Sequence, residues 1–194
     1  LGEVWHKWTG LPFVFARFVV RRDLPDADKQ RLVRMIDLSI AEGWTHFERV
    51  VAPRAAELGA PGIDLNFGCP AKTVNRSDGG AILLREPQRV HAITAAVRAA
   101  VPKHIPVTVK TRLGYEDRAL FLDIVAGIEA AGASELTIHA RTKRHGYRPP
   151  AYWDAIAEAG QLLALPIIAN GEIWSVDDAL RCRATTGCDD LMLG

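Results

Sequence analysis

The sequence predicts an α/β fold made of consecutive βα units on a parallel sheet: a partial (β/α)8 barrel of about five strands, preceded by an unrelated N-terminal segment. Three observations carry this. From residue 51 onward, short β-branched runs alternate with amphipathic stretches, one helix between each pair of strands. The strand runs are nearly all apolar, the pattern of a sheet buried on both faces. The first four runs also end on polar residues able to do chemistry: Asn66, Lys110, His139 and Asn170. In a barrel these ends open on one rim, which carries the active site. A doubly wound sheet also gathers its strand ends on one edge, but the steady rhythm favours the barrel.

Residues 1–50 differ in texture from the rest and hold Trp5, Trp8 and Trp44. Leu11 to Val20 reads as a strand, and Asp26 as the cap of a helix over 27–42, with Leu32, Ile36 and Ile40 on one face and Gly43 at its end. Ile63–Asn66 is the first strand of the regular part. Gly80 to Val101 contains a helix with Val90, Ile93 and Val97 on its apolar side. Ile105–Lys110 is a strand, 118–131 a helix stopped by Gly132, and Glu135–His139 a strand. A helix over 152–163, a strand over 166–170, a helix over 176–186 and a strand over 190–193 complete the series.

Composition excludes several classes. The chain has 194 residues, with 24 Lys and Arg against 23 Asp and Glu. A net charge of +1 is too small to hold nucleic acid by bulk electrostatics, though a local basic patch remains open. No apolar run approaches the ~20 residues of a membrane span. Cys69, Cys182 and Cys188 form no CxxC pair and no disulfide framework, which points to a reducing, cytoplasmic setting. Neither a metal nor a protein partner is expected.

Each candidate residue has a bland alternative. Cys69 sits between Gly68 and Pro70, on a loop stiffened by both neighbours. A free Cys is usually a small buried hydrophobe, which is how Cys182 and Cys188 read; at the rim Cys69 reads as functional. Lys110 at a strand exit is either solvated or held against an anion or electron-rich ring. His139 alone would be structural; as one of a series it reads as functional. Asn170-Gly171-Glu172 is either a turn or a place where a ligand approaches the backbone. Gly79-Gly80 offers a weak anion site through backbone N–H groups. The basic run from Arg141 to Arg148 is either a solvated loop or a phosphate-contacting one.

Asp64-Leu65-Asn66-Phe67-Gly68-Cys69-Pro70, Lys72, Val74 and Gly79-Gly80-Ala81 resemble the signature of the tRNA-dihydrouridine synthases. Val109 to Gly114, Ile138 to Thr142 and Pro166 to Ile173 continue the resemblance in order. Ala71 to Asn75 and Gly146-Tyr147-Arg148 suggest the bacterial subfamily that modifies position 16 of tRNA. The resemblance covers residues 51–194. It implies an FMN enzyme that reduces uridine in tRNA to 5,6-dihydrouridine with NADPH, hydride going to C6 and a proton from Cys69 to C5. By the same resemblance Lys110, His139, Asn170, Gly171, Glu172 and Gly194 hold the flavin, and Asn66, Arg112, Arg141 and Tyr147 face the tRNA.

The departures from that pattern carry expectations too. The family's opening Ala-Pro-Met strand and its flavin-contacting Gln have no counterpart here. Leu1 to Trp5, Thr9 to Ala16 and the helix after them are instead similar to the chorismate dehydratases of menaquinone biosynthesis. A fused or misassembled chain with a junction near 46–52 is therefore expected. The family's next Arg, last barrel strand and C-terminal helical domain would lie past Gly194. An incomplete barrel with two open edges is expected to be marginally stable and impaired in activity. Two rival readings are a non-catalytic RNA-binding fragment and a chorismate dehydratase defined by the N-terminal segment.

Overall fold

A computed structural model describes residues 52–53, 56–57, 60–76 and 78–193, which all lie in the compact unit His46–Gly194. The strand expected over Leu11 to Val20, the helix expected over 27–42 and Gly194 lie outside the described residues. Five strands form one parallel sheet in chain order: β1 (Ile63–Asn66), β2 (Val107–Arg112), β3 (Glu135–His139), β4 (Ile167–Asn170) and β5 (Asp190–Met192). Between them run α1 (Lys72–Arg76), a 3-10 helix (Gly80–Arg85), α2 (Pro87–Ala100), α3 (Phe121–Ala130), α4 (Trp153–Leu162) and α5 (Val176–Thr186). Among the described residues the sheet does not close, and β1 and β5 are its edges.

Strand order that never reverses decides the architecture. Parallel crossovers are almost invariably right-handed, so five strands added in one direction place every helix on the same face. A doubly wound sheet would reverse its order and cover both faces. The partial barrel stands, and the expectation of two buried apolar faces is corrected. Register pairs Asp64 with Thr108 and Asn66 with Lys110, then Lys110 with Thr137 and Arg112 with His139, then His139 with Asn170. Side chains alternate faces along a strand, so all of these share one polar face. Leu65, Val107, Val109, Leu136, Ile138 and Ala169 point the other way and are buried.

The apolar face packs on the helices. Val90 and Val97 of α2, Ile124 and Ile128 of α3, Ile156 of α4 and Cys182 of α5 are all fully buried. Local chemistry sets the helix ends. Pro87 opens α2, where its missing N–H costs nothing. Ser175 and Asp178 form a reciprocal capping box on α5, which Gly187 ends in the left-handed region. Strand β2 extends two residues beyond the expected end at Lys110, because Thr111 and Arg112 still pair with Ile138 and His139. That extension brings Arg112 into the ladder.

Candidate active site at the carboxyl ends of the strands

The loop after β1 is held by its backbone. Asn66 Oδ1 accepts the Gly68 N–H at 2.9 Å. The Cys69 carbonyl accepts from Ala81 N at 3.0 Å and from Asn75 Nδ2 at 2.9 Å. Gly80 has φ +65°, and a Cβ there would stand 2.8 Å from the Cys69 carbonyl oxygen, so the close approach needs glycine. The Gly79 N–H donates to Val74 O at 3.1 Å. The Gly79 and Ala81 N–H groups are thus spent internally, which removes one of the two donors suggested for an anion at Gly79-Gly80. The pair shapes the cysteine loop. Cys69 is half-buried and free, whereas Cys182 and Cys188 are buried free thiols. Burial pushes the Cys182 thiol up to about 11, which suits a packing role.

The polar face gathers cations. Lys110 Nζ reaches across β3 and donates to Asn170 Oδ1 at 2.8 Å; Asn170 Nδ2 donates to Met192 O at 2.9 Å. Arg141 is nearly buried and pairs with Glu172 Oε2 at 2.6 Å, and that oxygen also accepts the Ala151 N–H. Arg141 Nη1 lies 3.5 Å from His139 Nε2. An arginine N–H can only donate, so this bond makes Nε2 the acceptor. Gly171 has φ +112°, and a Cβ there would come within 3.3 Å of the His139 ring. Trp153 Nε1 donates to the Gly171 carbonyl at 3.0 Å.

Arg112 links the two halves of the site. Its Nε donates to Gly68 O at 2.8 Å, and its Nη1 to Gly146 O at 2.9 Å and Thr142 O at 3.3 Å. Tyr147, 70% exposed, stands edge-on to His139 with centroids 6.0 Å apart. The Arg112 guanidinium carbon is 5.2 Å from the Tyr147 ring centroid. The structure thus brings Cys69, Lys110, Arg112, His139, Arg141, Tyr147, Asn170, Gly171 and Glu172 to one rim, with Asn66 exposed at its edge. Among the described residues there is no metal-binding cluster, and no helix is long and apolar enough to cross a membrane.

Burial and neighbouring charge set the electrostatics. Burial pushes Lys110 down to about 8, the Arg112 charge adds to this, and Asp64 opposes it. Burial, then the charges of Arg112, Lys110 and Arg141, push His139 down to about 3, so the imidazole is neutral near pH 7. The unfolded chain therefore takes this proton more readily than the folded one. Folding stability is expected to fall as pH drops from 6.5 toward 3. Urea unfolding midpoints across that range check this, and His139→Asn should flatten the acid limb.

Sequence reasoning missed Asn75 and Trp153. Asn75 was read only as part of a subfamily stretch and Trp153 not at all; each acts by donating to a carbonyl that only the fold brings near. The basic run also divides. Arg141 is consumed internally, whereas Arg144 and Arg148 are exposed and Lys143 is half-buried with its Nζ 4.7 Å over the Tyr115 ring. Among the described residues these three have no carboxylate partner.

Comparison with known proteins adds independent findings. The family model described as Dihydrouridine synthase (Dus) matches residues 13–194. The chain is 58% identical over 143 residues to a tRNA-dihydrouridine(16) synthase of Shewanella oneidensis, covering 74% of this chain and 45% of that protein. It is 56% identical over 140 residues to the Pseudomonas syringae pv. tomato protein of the same name, covering 72% of this chain and 44% of that one. The chain thus spans less than half the length of these curated relatives. A solved structure from Coccidioides immitis, described as of the dihydrodipicolinate synthase family, superposes with TM-score 0.52 at 17% identity over 71% of this chain and 41% of that one. At that identity the likeness concerns the fold alone. The similarity of residues 1–49 to chorismate dehydratases finds no support: the family match begins at residue 13 and runs through the expected junction.

Proposed function

The chain belongs to the dihydrouridine synthase family, and from that premise we propose that it acts in the reduction of uridine to 5,6-dihydrouridine in tRNA. The relatives at 56–58% identity are named for position 16, and the same position is proposed here. The observation that supports the reading best is the charge balance of the rim. Lys110, Arg112 and Arg141 surround a neutral His139; among the described residues the carboxylates acting on these cations are Glu172, paired with Arg141, and Asp64, which faces Lys110. Surplus positive charge on a half-buried face suits an anionic, electron-rich group. FMN, with its phosphate and an anionic reduced ring, meets that description; when bound it supplies hydride for C6 of the base, replenished by NADPH.

In this reading Lys110, fixed by Asn170, faces the flavin. His139 borders it as a neutral group, and Gly171 leaves room that a Cβ would fill. Glu172 holds Arg141 in place, and Gly194 completes the cofactor side by family resemblance. Cys69 supplies the proton for C5 and so must keep its thiol protonated, unlike a nucleophilic cysteine. Asn66 and Tyr147 face the incoming base, which must leave its stack to reach the flavin. Lys143, Arg144 and Arg148 supply phosphate contacts, and Arg112 and Arg141 stand behind them. The cytoplasm, where tRNA and NADPH reside, remains the proposed setting.

Titration with FMN tests the reading. Lys110 loses its proton above about pH 8, and an anion prefers the protonated form. Affinity should therefore fall as pH rises through about 8, by up to about tenfold per unit. Lys110→Gln should bind more weakly and without that dependence. Absence of flavin binding near pH 7, with tRNA still bound, would favour the non-catalytic RNA-binding reading instead.

A further inference from the structure

We propose that Arg112 is a positioning residue that ties the Cys69 loop to the Tyr147 loop and fixes the spacing between them. The roles of the two loops rest on the function proposed above; the tie itself does not. Arg112 is the last residue of β2, paired in register with His139 in the middle of the sheet. Its side chain lies on the polar face and the residue is 2% exposed. From that rigid base the guanidinium reaches carbonyls of two separate loops. Gly68, immediately before Cys69, takes Nε; Gly146, immediately before Tyr147, takes Nη1, shared with Thr142. The Tyr147 ring then lies against the same guanidinium.

Chemistry makes this an arginine position. Among the described residues no hydrogen bond joins residues 68–70 directly to 142–148, so the guanidinium is the link. Its planar fork presents donors in fixed, diverging directions, whereas a lysine ammonium gathers its three donors at one point and lacks that fork. Nor is Arg112 placed as half of an ion pair. Among the described residues its partners are backbone carbonyls and the Tyr147 side chain, and no carboxylate bonds to it. A residue needed only for charge would have an acid beside it, and one needed only to grip phosphate would be exposed. The arrangement instead holds Cys69 and Tyr147 as one unit, as a proton donor and a base-facing ring must be held to act on the same nucleobase.

Amide hydrogen exchange on the full chain tests the tie without any ligand. In Arg112→Lys, exchange is expected to rise about tenfold both at residues 68–71 and at 142–148. The Val109 and Ile138 amides, in β2 and β3, should stay within about twofold. Alkylation of Cys69 should speed up in parallel, since Cys182 and Cys188 are buried and silent. Lys143→Ala, in the same loop, should change neither. Loosening of one loop alone, of neither, or of the central strands equally would overturn the proposal. Arg112→Met extends the series, but the lysine variant decides the matter if the methionine variant does not fold. In turnover with tRNA, Arg112→Lys should lower kcat roughly 10- to 100-fold with KM within about twofold. Lys143→Ala should raise KM instead. An unchanged kcat in Arg112→Lys would also overturn the proposal. A chain that shows coupled exchange but makes no dihydrouridine would sink the functional reading and leave the tie standing.

Discussion

Cys69→Ala is expected to cut dihydrouridine formation by about 10²–10⁴-fold, the range for losing a positioned general acid. Reduction of bound flavin by NADPH should proceed as in the unsubstituted protein. The two steps separate because the thiol is needed only when the base receives its proton. The loop should survive the change, since its anchors are backbone groups: the Cys69 carbonyl with Ala81 and Asn75, and the Gly68 carbonyl with Arg112. None of these bonds uses Sγ. Flavin absorbance during NADPH addition reports the first half-reaction, and mass spectrometry of digested tRNA reports the second. Cys182→Ala and Cys188→Ala serve as controls, because both thiols are buried and burial raises them. Full product yield from Cys69→Ala would remove Cys69 from its role.

The largest effect on stability is expected at Arg141. Arg141→Met should destabilise the domain by about 3 kcal/mol, the low end for breaking a buried ion pair by removing one partner. The Arg141 side chain is 4% exposed and that of Glu172 27%. The partial exposure lets water solvate the stranded carboxylate and keeps the cost from rising further. Three contacts go at once: the Glu172 pair, the Pro150 carbonyl at 3.3 Å and the approach to His139. Removing this cation also takes away one cause of the lowered His139 value, so the acid limb of stability should still begin near 6.5 but level off at a higher pH, with a smaller total loss. Urea unfolding of Arg141→Met, Glu172→Gln and the double variant closes a thermodynamic cycle. A loss below about 1 kcal/mol at Arg141 would mean the pair is solvated like a surface bridge.

Much of the fold was legible in the sequence because it is local in origin. Ile63–Asn66 and Glu135–His139 stand where their β-branched, apolar content places them. The α5 helix has the expected bounds because Ser175, Asp178 and Gly187 write its caps into the chain. The strand-end series Asn66, Lys110, His139, Asn170 was readable for the same reason: a residue at the carboxyl end of a parallel strand has one rim to go to. The two-faced character of the sheet was less legible. In runs of four to six residues a Thr or an Ile tells little about which face it takes, and only register shows that Asp64, Thr108, Lys110, Thr137 and His139 share a side.

The sequence by itself determined the βα order, the family, and the residue types delivered to the rim. Tertiary structure alone decided how those residues divide their work. By resemblance Arg112 and Arg141 read in the chain as tRNA-facing, and Arg144 and Arg148 as part of the same basic run as Arg141. Folding buries the first two against carbonyls and a carboxylate, and leaves the last two exposed. The physical reason is that a side chain's charge is fixed by its chemistry. Its burial and its partners depend on loops that are distant in sequence and meet only when the strands align.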